Sequence, residues 1–241
     1  MAKIHMVLNG KGGVGKSFVA SILAQYKMHK GQKPLCIDTD LVSSTFSSYK
    51  ALNVKQFKID DCNETNLCNL DRLMERIPAS HDDLIIDNGP GTFAQMSHYL
   101  IHNQTPGVLA NSGHQLVIHT IITGGQAFID TVNGCSQLIS QTPTNALFIV
   151  WLNPYWGAVE DSGQTFERMN TYHDNKKRIS AIINIPKLNE ATFGRDLSDM
   201  LQERLTFDEA IPSPARFIMT RQRLKMTRDQ LFGELDKAVV I

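Results

Sequence analysis

Gly10-Lys11-Gly12-Gly13-Val14-Gly15-Lys16-Ser17 decides how this chain is read. The stretch follows a short apolar run, Ile4 to Leu8, and opens into a helix-like segment, Ser17 to Met28. Strand, glycine loop and helix in that order bring several backbone N–H groups and the positive end of a helix dipole around one point. A phosphate is the natural occupant. The spacing G-x-x-x-x-G-K-[ST] is that of a P-loop, whose amides cradle phosphate oxygens. In such a loop Lys16 reaches the β- and γ-phosphates, and the Ser17 hydroxyl completes a Mg²⁺ shell.

The same residues also spell G-x-G-x-x-G through Gly10, Gly12 and Gly15, with Asp38 at the end of a second apolar run, as in a dinucleotide-binding fold. Two features argue against that reading. Lys16-Ser17 at the helix mouth serves a triphosphate with Mg²⁺ and is not needed by a dinucleotide. A dinucleotide site also has no use for further carboxylates at Asp40 and Asp87.

Outward from the loop, Leu35-Cys36-Ile37 reads as a short buried strand ending in Asp38-Thr39-Asp40. Carboxylates at the carboxyl end of a strand lie where open α/β sheets place their ligands. The alternative is a turn in which these Asp side chains cap a helix near Ser43 or Ser44. Leu84-Ile85-Ile86-Asp87 is an apolar strand ending in a carboxylate, the Walker B pattern that sets an anion near Mg²⁺. Asn88-Gly89-Pro90-Gly91 follows as a turn able to respond to a γ-phosphate.

Further strands are expected at Gln115–Ile122, Ala146–Leu152 and Ile179–Ile185, with Val54–Ile59 a weaker one. Helices are expected at Leu70–Ile77, Gln126–Ile139, Phe166–Tyr172, Ala191–Leu205 and Phe217–Val240, and Asp60–Asn69 is loop-like. Strands alternating with helices predict an α/β fold, a mostly parallel central sheet with helices on both faces. One domain over residues 1–241 is expected, its C-terminal part helical from about residue 191.

The chain has 241 residues, 42% hydrophobic and 20% charged, enough for a full core. Lys+Arg and Asp+Glu are both 24, so no overall field holds the molecule on nucleic acid and any such binding needs a local patch. Arg221, Arg223, Lys225 and Arg228, with Lys176-Lys177-Arg178, are the candidates: a solvated surface, or a contact for nonspecific DNA or acidic lipid. No apolar run reaches the roughly 20 residues of a membrane span. The N-terminus enters a strand at once and leaves no room for a signal peptide, so a cytoplasmic protein is expected. Cys36, Cys62, Cys68 and Cys135 form no C-x-x-C pair, which gives a zinc knuckle or a redox motif little support. His98 and His102 stand one helical turn apart without the Glu of a metalloprotease signature, and read as ordinary helix surface.

The second lysine at the loop's start makes the motif more specific. Lys11 to Ser17, K-G-G-V-G-K-S, resembles the deviant Walker A motif of the ParA/MinD family of ATPases, with Asp38 and Asp40 matching its D-x-D strand end and Asp87 its Walker B aspartate. The runs Met1–Leu8, Phe148–Gly157 and Asp199–Asp208 are similar to proteins of conjugative plasmid transfer regions. The resemblance implies a P-loop ATPase that hydrolyses ATP with Mg²⁺, dimerises on ATP and meets a protein of the conjugation machinery, any tie to membrane or nucleoid running through a partner. It implies that Gly12, Gly13, Val14, Gly15, Lys16, Ser17 and Phe18 bind the nucleotide, that Asn153 and Pro186 form the base pocket, and that Ser17, Asp38 and Asp87 serve the metal. Lys11 would reach across a dimer to the partner's nucleotide, and Asp40 would orient the attacking water. A scaffold with negligible turnover and a partition ATPase on nonspecific DNA are the alternatives. Leu41 after Asp40, where the family often has Pro, and D-N-G-P-G after the Walker B strand depart from the pattern and bear on the two switch segments.

Overall fold

A computed structural model describes residues 2–40, 42–59, 70–75 and 82–241. Its centre is a seven-stranded sheet in the order β3-β2-β4-β1-β5-β6-β9. The strands are β1 Lys3–Val7, β2 Leu35–Asp38, β3 Lys55–Gln56, β4 Leu84–Asp87, β5 Gln115–Thr123, β6 Leu147–Asn153 and β9 Ile179–Asn184, and every pairing is parallel. Two further short strands, β7 Glu160–Asp161 and β8 Gln164–Thr165, form a separate antiparallel hairpin.

Parallel strands covered on both faces read as near-continuous apolar runs, as β4 and β6 do. Alternation divides them between two cores. Ile4, Met6, Leu84, Ile86 and Ile118 pack under the helices Phe93–His102 and Phe128–Gln141. Val7, Ile85, Val117, Ile149 and Trp151 pack under α1 (Lys16–His29) and the C-terminal helix Ile218–Asp236. Among the described residues no helix is long and apolar enough to cross a membrane.

Register places the site. Val7 lies level with Asp87, and Asp87 with Asp38, so three strand ends finish flush beside the loop that follows β1. Strand order reverses at β1, between β4 and β5, the switch point at which an open sheet leaves a crevice.

Several expected boundaries shift. The Val54–Ile59 strand shortens to Lys55–Gln56, an edge strand with both residues exposed. The Phe166–Tyr172 helix is broken at Met169, whose extended backbone (φ −81°, ψ 150°) separates a 3₁₀ turn at Phe166–Arg168 from a helix at Asn170–Asn175. The Ala191–Leu205 helix opens with a wide π turn at Glu190–Gly194 before Arg195–Gln202. Of the expected Leu70–Ile77 helix, residues 70–75 are helical and the rest lies outside the described residues, as do the Asp60–Asn69 loop, Cys62 and Cys68. Two helices follow β4 and cover one face: Phe93–His102, of which the sequence reading placed only His98 and His102 on a helix surface, and Thr105–Asn111, which has no counterpart in that reading. Cys36 and Cys135 are buried thiols, each pushed up to about 12 by burial.

Candidate functional site

The loop between β1 and α1 takes its shape from glycine. Gly13 and Gly15 sit at φ +73° and +103°, a region that strains any residue with a Cβ. Gly15 is the N-cap of α1, no side chain caps that end, and the first turn holds no acid. The amides of the helix start are therefore unclaimed by side chains, and the dipole favours an anion there.

Side chains fix the loop from outside. Asn9 Oδ1 accepts from the Lys11 amide at 2.9 Å, and Lys16 Nζ donates to the Lys11 carbonyl at 2.9 Å. Asn153 Nδ2 donates to the Val14 carbonyl at 2.8 Å, and Trp156 Nε1 to that of Gly13 at 3.2 Å. Lys16 is 7% exposed, and burial lowers its pKa against the opposing pull of Asp87 and Asp40.

Asp87 stands opposite. It is 1% exposed, and neither carboxylate oxygen has a hydrogen-bond partner of normal geometry. Burial pushes its pKa up to about 7, although the neighbouring Ser17 hydroxyl and Lys16 ammonium pull it down. An unpartnered buried carboxylate is expensive, so this one is explained by a cation it is built to meet. Oxygen donors from Ser17 and Asp87 match the ligand chemistry of Mg²⁺, and the site fits that ion.

Asp38 and Asp40 accept backbone hydrogen bonds within the turn that follows β2, where no helix starts near Ser43 or Ser44 among the described residues. Asp38, fully buried, accepts from the Asp40 amide through Oδ1 and from the Ser47 amide through Oδ2, both at 2.9 Å. Burial raises its pKa, and those bonds offset part of the rise. Asp40 Oδ1 accepts from the amides of Val42 at 3.1 Å and Ser43 at 3.2 Å. Asp40 also presses on the turn after β4: a Cβ on Gly89 would lie 2.7 Å from its Cγ, so only glycine admits it. Thr39 ties the same two segments, donating to the Asp87 carbonyl from its amide at 2.9 Å and its hydroxyl at 3.0 Å.

Lys11 does not hang free. Its Nζ lies 2.9 Å from Asp130 Oδ2 on the Phe128–Gln141 helix, with side chains 50% and 63% exposed. Phe18, Asn153, Tyr155, Trp156 and Pro186 line one cleft of about 780 Å³ beside Gly13 and Gly15. Asn153 is engaged twice within it, since its Oδ1 also accepts from the Tyr155 amide at 3.1 Å. An amide side chain still keeps one hydrogen and one lone pair after those bonds.

The basic residues are partly spoken for. Arg223 pairs with Asp196, and Arg228 with Asp229 at 2.7 Å and Asp208 at 3.7 Å. Arg178 donates to the carbonyls of Ile139, Thr142 and Pro143, closing the end of the Phe128–Gln141 helix. His98 and His102 stack with centroids 3.9 Å apart, and no group of three metal-binding side chains occurs among the described residues.

Sequence reasoning missed Asp130, Trp156 and Asn9. Asn9 directly precedes the glycine loop, a position that marks it. Asp130 and Trp156 lie 119 and 143 residues from the loop atoms they touch, and no spacing rule connects them.

Comparison with known proteins gives this geometry its relatives. The chain is 60% identical to Protein TraL of Escherichia coli over 241 residues, the whole of both chains. It resembles a chain of the MinC:MinD cell division protein complex of Aquifex aeolicus with a TM-score of 0.55 at 15% identity, covering 96% of each chain. It resembles the cell division ATPase MinD of Pyrococcus furiosus with a TM-score of 0.54 at 16% identity, covering 98% of this chain and 99% of that one. The family model described as the CobQ/CobB/MinD/ParA nucleotide binding domain matches residues 5–227, and the chain belongs to that family, as a P-loop protein of ParA/MinD type.

Proposed function

We propose that this protein is an ATP-binding and ATP-hydrolysing switch that dimerises on ATP and acts in conjugative plasmid DNA transfer. One observation carries the reading: the buried Asp87 carboxylate, without a hydrogen-bond partner of normal geometry, stands by a P-loop whose helix end lacks a side-chain cap. The conjugative setting is supported by the kinship with Protein TraL together with the resemblance of three segments to conjugative transfer proteins.

The roles follow from residue chemistry. The amides of Gly12 to Ser17 and the Lys16 ammonium hold the phosphate tail. Ser17 and Asp87 hold Mg²⁺, with Asp38 supporting them by fixing the following turn. When bound, the metal neutralises phosphate oxygens and organises the tail. Phe18, Asn153 and Pro186 take the adenine. Asp40 orients the attacking water once its carboxylate leaves the amides of Val42 and Ser43. Lys11 leaves Asp130 and compensates charge on the partner's nucleotide. An exposed ion pair of this kind is worth at most about 1 kcal/mol, so exchange is easy.

A scaffold with negligible turnover is the second reading. It is favoured by the internal bonds of Asp40 and Lys11, which hold two expected catalytic groups off duty. A partition ATPase on nonspecific DNA is less supported, because Arg223 and Arg228 are paired with acids. Size-exclusion chromatography with and without MgATP, alongside phosphate release, separates these. The switch predicts a mass increase with ATP that Lys11→Ala abolishes, and measurable turnover. An ATP-induced dimer with no phosphate release, with or without DNA and transfer proteins, would establish the scaffold instead.

A further inference from the structure

The turn after β6 carries a contact that the nucleotide reading leaves unused. Tyr155 and Trp156 are 76% and 61% exposed, their rings T-shaped with centroids 4.9 Å apart. An exposed indole N–H has water available, yet Trp156 donates to the Gly13 carbonyl at 3.2 Å. The next carbonyl, Val14, accepts from Asn153 at 2.8 Å. Two successive loop carbonyls are thus drawn toward one turn. In a planar trans peptide the carbonyl and the following N–H point in opposite directions, so the amides of Val14 and Gly15 turn to the other side of the loop. The turn is itself backed by glycine. A Cβ on Gly125 would lie 2.5 Å from the Trp156 carbonyl oxygen, and one on Gly124 would lie 2.2 Å from that of Gly157. Trp156 is exposed but held.

We propose that Trp156, which also lines the cleft assigned to the base, is a positioning residue of the phosphate loop, acting through the Gly13 carbonyl to preset the Val14 amide toward the phosphate tail rather than by contacting the base. This rests on the ATP-site reading. Trp156→Phe keeps the ring and removes the donor. Calorimetry on the full chain compares MgATP with tripolyphosphate, which has no base. Both should weaken by the same factor, about threefold to tenfold for one neutral hydrogen bond, with the melting temperature falling by no more than about 6 °C. A loss confined to ATP would make Trp156 a base contact and overturn the proposal. Unchanged affinity for both ligands would overturn it as well. A wild-type chain that binds neither ligand defeats the ATP-site reading first. Fluorescence supplies a second readout, because the chain has two tryptophans and Trp151 is fully buried. Tripolyphosphate should shift the emission of the wild type and not of W156F; an unshifted wild type counts against the proposal.

Discussion

Asp87 shows what the site costs the fold. Its folded pKa of about 7 lies above the ordinary carboxylate value of 3.8, so the native state binds more protons across that interval. The contribution of Asp87 is therefore fully present below pH 4 and is lost as pH rises through 7, by an amount on the order of 4 kcal/mol once the group is ionised. Asp87→Asn should raise the melting temperature of the ligand-free protein above pH 7 and remove the further stabilisation that MgATP gives the wild type. Parallel melting curves for the two proteins between pH 5 and 8 would contradict this. Lys11 carries a second expectation. Asp130→Asn leaves the lysine without its partner in the same subunit, and the concentration for half-maximal ATP-dependent dimer should fall by up to about fivefold, read by sedimentation. An unchanged or weakened dimer would show that the pair does not restrain Lys11. Lys16, Ser17 and Asp87 were legible because the P-loop and Walker B patterns are local. Asp130 was not, because a single acid on an amphipathic helix carries no sign of what it faces.

Strands were more legible than helices, for a physical reason. β4, β5 and β6 are buried on both faces and are mostly apolar, whereas the Phe93–His102 helix carries Gln95, Ser97, His98 and His102 and buries only Met96, Tyr99 and Leu100. The sheet also holds a polar chain that apolar counting hides. Trp151 Nε1 donates to His119 Nδ1 at 3.0 Å, so His119 carries its proton on Nε2 and donates to His5 Nδ1 at 2.9 Å. Burial pushes His119 down to about 3 and lowers His5 as well. These folded pKa values lie below the unfolded 6.5, so their stability is present above pH 6.5 and lost as pH falls toward 3. That slope opposes the slope from Asp87 between pH 4 and 6.5. Asp87→Asn should uncover it as stability that climbs with pH up to about 6.5 and then levels; a flat profile would refute the neutral chain. His119→Leu leaves Trp151 without its acceptor and should destabilise the protein by about 1–3 kcal/mol in urea unfolding.

At the scale of the whole molecule, a parallel sheet whose order reverses at β1 brings Asp38, Asp87 and the P-loop to one edge. This was legible from alternating strands and helices. The turn of 154–157 against Gly124 and Gly125 was not, since it rests on backbone meeting backbone where side-chain patterning is silent. With 24 acidic and 24 basic residues, the protein has no net field to gather DNA, and ATP-dependent retention on nonspecific duplex should be absent at physiological salt. Steep salt-dependent retention that Arg221→Ala weakens would favour the partition reading. The site turns on a phosphate tail held by Lys16 at the mouth of α1. Calorimetric titration of MgATP into the wild type and into Lys16→Ala tests it most directly. A binding isotherm that weakens by about tenfold to hundredfold in the variant is the predicted result, the loss of a charge-assisted contact, and equal affinity in the two proteins would contradict it.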